Sequence, residues 1–189
     1  RTHRGKLKRI RVLTVSVRGK ASAMNAGLRQ AKGELFMCLD ADSMLDRHAI
    51  HTAVQEFRDP RLGTLAANVK ILPGRGMANV FQQIEYLIGQ QGKKTENLVN
   101  IQYIVGGVGS MFRTQLVRRV GHYDTDTITE DIDLSMKILA RYGTRYRIGY
   151  STGVITYTES VQDIKGLLRQ RFRWKYGRYQ VFLKYRSLF

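Results

Sequence analysis

The beginning of the chain is patterned as a strand, a helix and a second strand. Residues 10–17 alternate in polarity and are rich in β-branched side chains, which predicts a strand. Residues 21–31 predict a short helix, with Gly33 as its C-cap. Residues 34–39 form an apolar run that is too short for a helix and ends at Asp40, which is typical of a strand buried on both faces. This succession predicts an α/β fold with a mostly parallel sheet flanked by helices.

The rest of the chain continues to alternate between strands and helices. We predict a strand over residues 62–72 and a pair of short strands over 146–157. Four helices are predicted: residues 46–57, residues 77–100, residues 114–120, and a helix from the acidic stretch described below to residue 142. Asp46 is the predicted cap of the first and Thr114 of the third. The 77–100 helix carries one apolar side, made of Val80, Ile84, Leu87 and Ile88. Residues 106–110, Gly-Gly-Val-Gly-Ser, predict a strand edge or loop that passes close to a ligand.

Composition restricts the class of protein and its partners. With 189 residues, 43% of them hydrophobic and only two prolines, the chain is long enough for one domain with a real core, or one domain and an appendage. Its single cysteine excludes an internal disulfide and favours a reducing compartment. No apolar run reaches the roughly 18 residues needed to cross a bilayer, and because the chain begins at Arg1 we expect it to be a piece of a longer protein. The net charge of +17 predicts an anionic partner: nucleic acid, a phosphorylated ligand or an acidic lipid surface.

Acidic residues are concentrated in one place. Five of the 15 acidic residues lie within residues 123–133. Thr127 and Glu130 have the spacing of a capping box, which predicts a helix start, and the helix dipole favours carboxylates in a first turn. This structural interpretation accounts for one or two of the five. The alternative is chemical: a carboxylate held at a helix N-terminus is suited to act as a general base, and Asp131 is the candidate.

A second acidic pair, Asp40-Ala41-Asp42, follows the predicted buried strand directly. Ligands of open α/β sheets bind at the carboxyl ends of strands, so both carboxylates can reach one crevice. Hard oxygen ligands in such a place suit Mg²⁺ or Mn²⁺ bridging a diphosphate, although most pairs of this spacing are ordinary loop carboxylates. Lys20 lies at the start of the first predicted helix, where an anion can bind, or it is a surface lysine.

The tail, residues 161–189, predicts a basic amphipathic helix. Its apolar stripe has the spacing 4-4-3-4 and consists of Leu168, Phe172, Tyr176, Tyr179 and Leu183. This pattern is typical of a helix on a membrane surface or on a partner, and an ordinary core-packing helix is the alternative. Gln170, Arg173 and Trp174 share one helical face. A guanidinium binds phosphate and an indole stacks on a sugar ring, so this face is a candidate ligand surface.

Taken in order, these motifs resemble those of a known family. The motifs that carry the resemblance are Lys20 with Asn25-Ala26-Gly27, Asp40-Ala41-Asp42, Thr129-Glu130-Asp131 and Gln170-x-x-Arg173-Trp174. They are similar to those of the processive, membrane-embedded family 2 glycosyltransferases, which include the synthases of cellulose, hyaluronan, chitin and poly-N-acetylglucosamine. The sequence around Asp131 and Trp174 is most similar to the last of these.

The resemblance implies a GT-A fold and a set of site residues. Residues 1–160 would form the catalytic domain, without its first strands, and residues 161–189 the membrane-interface helix. Asp42, with Asp40, would hold the metal and the donor diphosphate, and Asp131 would be the base. The remaining implied substrate-binding residues are Lys20, Asn25, Gly106, Gly107, Glu130, Gln170, Arg173 and Trp174. Of these, Gly106 and Gly107 would line the acceptor site.

The resemblance also implies an activity. We expect an inverting β-glycosyltransferase that uses a UDP-sugar, with N-acetylglucosamine as the expected sugar, to extend a polysaccharide at the cytoplasmic face of the cell membrane. Flanking transmembrane helices would lie outside this chain, and the isolated chain should bind nucleotide poorly and form no polymer. Transfer of one sugar to a lipid acceptor is an alternative. A basic nucleic-acid-binding domain is a further alternative, but acidic clusters facing phosphates would weaken such binding, so no nucleic-acid partner is expected.

Overall fold

The computed structural model describes residues 10–16 and 19–188. The described helices are α1 Lys20–Gln30, α2 Ala49–Glu56, α3 Met77–Leu98, α4 Thr114–Arg119, α5 Glu130–Tyr142 and α6 Ile164–Lys184. The described strands are β1 Leu35–Met37, β2 Ser43–Leu45, β3 Leu62–Ile71, β4 Met111–Arg113 and β5 Arg147–Thr158. Short 3₁₀ turns cover Gly143–Arg145 and Arg186–Leu188.

The five strands form one mixed sheet in the order β1-β4-β3-β5-β2. Only β3 and β5 pair in parallel, while β1 with β4, β4 with β3, and β5 with β2 are antiparallel. The predicted α/β class is therefore confirmed, but the prediction of a mostly parallel sheet is wrong. The reason is that β2 and β4 are only three residues long, too short for a detectable pattern, and both run against their neighbours.

Two boundaries at the beginning of the chain also differ from the prediction. Residues 10–16 form no strand, and Val12 is 87% exposed. Residue 17 of that predicted strand lies outside the described residues, as do residues 1–9 of the predicted catalytic segment and Phe189 of the predicted tail. Helix α1 ends at an extended Ala31 rather than at a glycine cap. Strand β1 is half-buried rather than fully buried, because it is an outer strand of the described sheet.

Elsewhere the structure differs from the predicted helix caps and from the predicted pair of short strands. Helix α2 begins at Ala49, with Asp46 just ahead of it accepting a hydrogen bond from the His48 N–H at 2.9 Å. Thr114 is the first residue of α4 rather than its cap. Residues 147–158 form one strand instead of two, because the irregularity in its pairing with β3 shifts the register without interrupting the strand.

The core lies on both faces of the sheet. One apolar cluster joins α1, α4 and α5 to the sheet, and Leu28, Phe112, Leu134 and Ile138 are among its buried members. A second cluster packs α2 against the opposite face of the same sheet, through alternate residues such as Leu65, Ala67 and Met111. A small third cluster connects α6 to α5 through Val181, Ile132 and Met136. The start of α5 is therefore held by the core on one side and by α6 on the other.

Helices α3 and α6 leave apolar side chains uncovered. On α3 the predicted apolar side is exposed, and the helix buries Ala78, Asn79 and Gln82 instead. On α6 the whole predicted stripe is exposed, from Leu168 to Leu183, so core packing does not explain that stripe. No helix in the described ranges is long and apolar enough to cross a membrane.

Candidate active site

The site forms where α1, the end of β1 and the start of α5 meet. Lys20 is the first residue of α1, and its ammonium lies 2.9 Å from an oxygen of Asp40 and 3.3 Å from an oxygen of Glu130. Burial lowers the pKa of Lys20, but its hydrogen bond to Asp40 and the charges of both carboxylates outweigh this effect, so the net shift is upward. Lys20 therefore stays protonated and joins two acidic motifs that are 90 residues apart in the chain.

Asp131 lies beside this ion-pair group. The position that a Gly107 Cβ would occupy is 3.4 Å from Asp131 Oδ2 and 3.5 Å from Lys20 Nζ. Asp131 Oδ1 accepts a hydrogen bond from the Ile132 N–H at 2.8 Å. Burial and the neighbouring Glu130 charge raise the pKa of Asp131, and hydrogen bonds from the Ile132 and Gly107 N–H groups partly offset that rise. A carboxylate with a raised pKa is a stronger base, as proton removal from a hydroxyl requires.

The predicted capping box is absent. The N-cap of α5 is Thr129, whose side chain makes no capping hydrogen bond, and Thr127 Oγ1 has no hydrogen-bond partner among the described residues. The physical reason is that the Glu130 carboxylate pairs with Lys20 instead of turning back to the helix start. The prediction of a helix start is confirmed, since α5 begins at Glu130.

Asp42 lies in the turn between β1 and β2 and is exposed. Its Oδ1 accepts a hydrogen bond from Ser43 Oγ at 3.1 Å. Burial raises the pKa of Tyr86 in α3; the Arg171 charge opposes this shift, and the Glu85 and Asp42 carboxylates add to it. Asp40 and Asp42 thus follow β1 as predicted, with Asp40 paired to Lys20 and Asp42 bound by Ser43.

Three predicted or neighbouring residues have structural contacts that the sequence did not reveal. The Asn25 amide donates to the Tyr123 carbonyl at 2.8 Å and accepts from the Tyr123 N–H at 3.0 Å, so it ties α1 to the acidic stretch. The Gly106 carbonyl accepts from the Ser110 hydroxyl. Gly109 has a φ of +69° and its Cα faces Thr156, so this position, rather than Gly106, requires glycine.

The motif on α6 is arranged around Arg171, which sequence reasoning passed over. Arg171 binds Glu85 of α3 through Nε at 2.8 Å, and its guanidinium lies 4.2 Å from the centre of the Trp174 ring. Its Nη1 donates to Gln170 Oε1 at 2.5 Å. Arg173 is exposed and makes no hydrogen bond or ion pair within the described ranges. The Gln170 amide and Trp174 are therefore held against α3, while Arg173 is left available for a ligand.

Helix α6 reaches the acidic site further along its length. A Cβ on Gly177 would lie 2.5 Å from Thr129 Cγ2 and 2.7 Å from Thr129 Oγ1, so α6 touches the residue before Glu130. No hydrogen bond or ion pair joins Asp131 to Gln170, Arg173 or Trp174 in the part of the chain described. The structure thus brings Lys20, Asp40, Glu130, Asp131 and Gly107 directly together, and links α6 to them through Thr129.

Lys93 of α3 is a further residue near the base that sequence reasoning did not single out. Burial lowers the pKa of Lys93, and the Asp131 carboxylate partly offsets that shift. It is one of 32 basic residues and stands in no motif, so nothing in the sequence distinguished it. A cavity of about 370 Å³ opens between α1 and β1, with Lys20, Asp40 and Phe36 in its lining.

Comparison with known proteins identifies the family. The model of glycosyl transferase family group 2 matches residues 35–189. The chain belongs to this glycosyltransferase family. The match contains Asp40, Asp42, Asp131 and the α6 motif, but it begins after Lys20. The predicted family 2 resemblance is therefore confirmed.

The relatives of this family 2 chain include polysaccharide synthases. It is 37% identical over 170 residues to the poly-beta-1,6-N-acetyl-D-glucosamine synthase of Staphylococcus aureus strain COL, and 35% identical over the same length to that of Staphylococcus epidermidis. These matches cover 88% of the chain and 40% of each relative. The chain thus spans about two fifths of the length of these synthases.

Solved structures give the same fold. A mannosyltransferase from Pyrobaculum calidifontis, solved with GDP-Man and Mn²⁺, matches with a TM-score of 0.68 and 25% identity over 89% of the chain and 44% of that protein. Staphylococcus aureus TarS 1-349, solved with UDP-GlcNAc, matches with a TM-score of 0.55 and 20% identity over 77% of the chain and 40% of that protein. Both are glycosyltransferase-type folds, so the predicted GT-A architecture of the family 2 chain is confirmed.

Proposed function

We propose that the intact protein is an inverting β-glycosyltransferase that transfers N-acetylglucosamine from a UDP-sugar to a growing polysaccharide. The observation that carries this proposal is the Lys20 ammonium, which binds Asp40 and Glu130 beside Asp131. It brings the acidic groups of two separate motifs together in a family 2 glycosyltransferase. The named activity of the staphylococcal relatives supports the sugar and the product.

Asp131 is the base of the proposed reaction. Its carboxylate accepts the proton of the acceptor hydroxyl while the acceptor oxygen attacks the anomeric carbon of the donor. The bond from that carbon to the diphosphate breaks on the opposite side, so UDP leaves and the configuration inverts. The raised pKa of Asp131 favours this proton transfer, because a carboxylate that is poorly solvated binds a proton more tightly.

Donor binding is assigned to the groups that surround the base. Asp40 and Asp42 supply the hard carboxylate oxygens that Mg²⁺ or Mn²⁺ prefers, and one or two carboxylates plus phosphate oxygens suffice for such an ion. When bound, the ion would neutralise charge on the leaving diphosphate. Lys20 and Arg173 provide cations for the phosphates, while Gln170 and Trp174 face the donor and acceptor sugars. Gly106 and Gly107 leave room for the acceptor, and Asn25 supports the site from behind by holding Tyr123.

Membrane contact is proposed for the exposed sides of α3 and α6. Arg171 and Glu85 join the two helices, so their uncovered apolar side chains belong to one packed unit. The basic residues of α6 alternate with this apolar stripe, which suits an acidic lipid surface. We infer that this unit lies on the cytoplasmic face of the membrane beside transmembrane helices of the intact protein. The open edge of β1 and the cavity beside it are proposed to receive the first strands of the GT-A domain.

The test is UDP release from UDP-N-acetylglucosamine by the intact protein in membranes, with Mg²⁺ or Mn²⁺ supplied and then chelated. We expect metal-dependent release and a polymeric product on a gel, whereas a single-sugar product would indicate transfer to a lipid. Asp131→Asn and Asp42→Asn should each abolish most of the release. Glu159→Gln removes an exposed carboxylate that has no ion pair among the described residues and should leave the rate unchanged. Undiminished release by Asp131→Asn would refute its role as base.

A further inference from the structure

The last turn of α6 places one ammonium among three carboxylates of the acidic stretch. Lys184 Nζ lies 2.7 Å from Asp124 Oδ2, 2.8 Å from Asp126 Oδ1 and 3.0 Å from Asp133 Oδ1. Neither the proposed chemistry nor the family motifs use these four residues. They form a cluster, here called the Lys184 anchor, at the C-terminal end of α6, whereas Trp174 lies in the middle of that helix.

We propose that the Lys184 anchor fixes the orientation of α6 relative to α5, and thereby sets the position of the Gln170–Trp174 motif relative to Asp131. Lys184 would then be a positioning residue, which acts on the reaction through α6 without touching substrate. The proposal rests on the function proposed above, because it assigns a purpose to the placement of that motif.

The first argument is the chemistry of the cluster. The three carboxylates have oxygens within 4.8 Å of one another, a spacing that could hold a metal ion. Each of them instead has an oxygen at hydrogen-bond distance from Lys184, and an ammonium has three donors to offer. Burial lowers the pKa of Lys184, but the three carboxylates raise it well above its usual value, so the cation persists.

The second argument is the burial of Asp133. Its side chain is fully buried, and burial raises its pKa; the hydrogen bond and charge of Lys184 offset only part of that rise, to which the Asp124 and Asp126 charges add. A buried carboxylate needs a paired cation, because an uncompensated buried charge is strongly destabilising. Lys184 is the ion-pair partner that the described residues offer it. Lys184 is therefore required at this position to compensate the buried charge of Asp133.

The third argument is that the surrounding contacts belong to the same half of α6. Val181 is fully buried against Ile132 and Met136 of α5. Gln180 Oε1 accepts a hydrogen bond from the Ile128 N–H at 3.4 Å, and Gly177 packs on Thr129. The half of α6 that carries the motif is held mainly through Arg171 and Glu85 of α3. The C-terminal half of α6 is thus bound to the acidic stretch, and the half that carries the motif extends away from that stretch.

Geometry makes the anchor effective at a distance. At about 1.5 Å per residue, the 14 residues from Gln170 to Lys184 span about 21 Å. A rotation of about 5° at the anchor would therefore move the motif by about 1.8 Å, using the same rise. A misplacement of about 1 Å can reduce a rate by about 100-fold. A small rotation of α6 at Lys184 should consequently lower the rate of sugar transfer.

The experiment compares Lys184→Met with Lys184→Arg in the intact protein, measuring UDP release from UDP-N-acetylglucosamine with Mn²⁺. Lys184→Met should lower kcat about 10- to 100-fold, while Lys184→Arg keeps the cation and should stay within about threefold. Combining Lys184→Met with Arg173→Ala should reduce kcat little beyond Arg173→Ala alone, because both changes remove the same contribution. Lys32→Met removes an exposed lysine outside α6 that has no described ion pair and should leave kcat at the wild-type level.

Full additivity of the two substitutions, or a wild-type kcat in Lys184→Met, would overturn the proposal. Hydrogen exchange of the same intact proteins separates this failure from failure of the proposed function. Amides of residues 166–176 should exchange at least threefold faster in Lys184→Met than in wild type, even if wild type releases no UDP. Unchanged exchange would reject the anchor. If Lys184→Met does not fold, Asp126→Asn removes only the most exposed carboxylate and should show a smaller change in the same direction, whereas no change would count against the anchor.

Discussion

At Gly177 the backbone of α6 packs directly on Thr129 of the acidic stretch, and Gly177→Ala tests whether that packing matters. The added methyl carbon would lie 2.5 Å from Thr129 Cγ2, 2.7 Å from Oγ1 and 3.1 Å from Cβ. Thr129 is buried and is the N-cap of α5, so it has little room to move away. The substitution should therefore push α6 off the residue that precedes Glu130.

Two opposing free-energy changes decide the outcome. Replacing glycine by alanine inside a helix stabilises it by about 1 kcal/mol. Inserting a methyl group into a packed contact costs about 1–3 kcal/mol. We expect a net loss of about 1 kcal/mol, which corresponds to a Tm lower by about 2–4 °C in a domain of this size. The shift of α6 should also lower kcat by about tenfold or more.

Gly89→Ala is the matched control, because Gly89 is exposed in the middle of α3 and no atom lies within 4 Å of the position of its added Cβ. That variant should gain about 0.5–1 kcal/mol from helix propensity alone. Thr129→Ala should rescue Gly177→Ala by removing both of the closest atoms, and Thr129 Oγ1 has no described hydrogen bond to lose. Thermal unfolding and UDP release of the intact variants provide the measurements. A Gly177→Ala variant as stable and active as Gly89→Ala would refute the argument.

Three further predictions follow from single residues. Asp131→Asn should lower kcat by about 10²–10⁴-fold yet raise Tm by about 2–4 °C. The pKa of Asp131 is raised in the folded state, so the free energy of unfolding falls as pH rises through that pKa. Asparagine does not ionise and therefore avoids this loss of stability. Glu130→Gln should move the acid limb of the pH–kcat profile to lower pH, because removing that charge lowers the pKa of Asp131; an unmoved limb would contradict this. Asn25→Ala breaks two hydrogen bonds to Tyr123 and should lower the free energy of unfolding by about 2 kcal/mol. Thermal unfolding should show a Tm lower by about 4–8 °C. An unchanged Tm would show that those hydrogen bonds contribute little.

The elements that sequence patterns predicted well are those with a long, regular period. Strand β3 and helix α3 have nearly the predicted bounds, because ten and 22 residues establish a clear repeat. Strands β2 and β4 are three residues each and carry no repeat. Strand direction is set by which neighbour a strand finds across the sheet, and local patterns contain no information about that neighbour. The prediction of a mostly parallel sheet failed for this reason.

The site was predictable where residues stand in ordered motifs. Lys20, Asp40, Glu130 and Asp131 meet as the motif order suggested. Arg171 and Lys184 were missed, because each acts through partners about 50 to 90 residues away and looks like any other basic residue in a chain with 32 of them. A salt bridge between distant segments leaves no periodic trace in a single sequence.

The acidic stretch now has a physical explanation that neither capping nor catalysis alone supplies. Asp124, Asp126 and Asp133 bind Lys184, whereas Glu130 and Asp131 lie at the site around Lys20. Asp131 and Asp133 are two residues apart on α5, so their side chains leave the helix about 200° apart. One helical turn therefore carries the proposed base on one side and the attachment of α6 on the other. A change in how α6 is attached is accordingly expected to alter the geometry around the base.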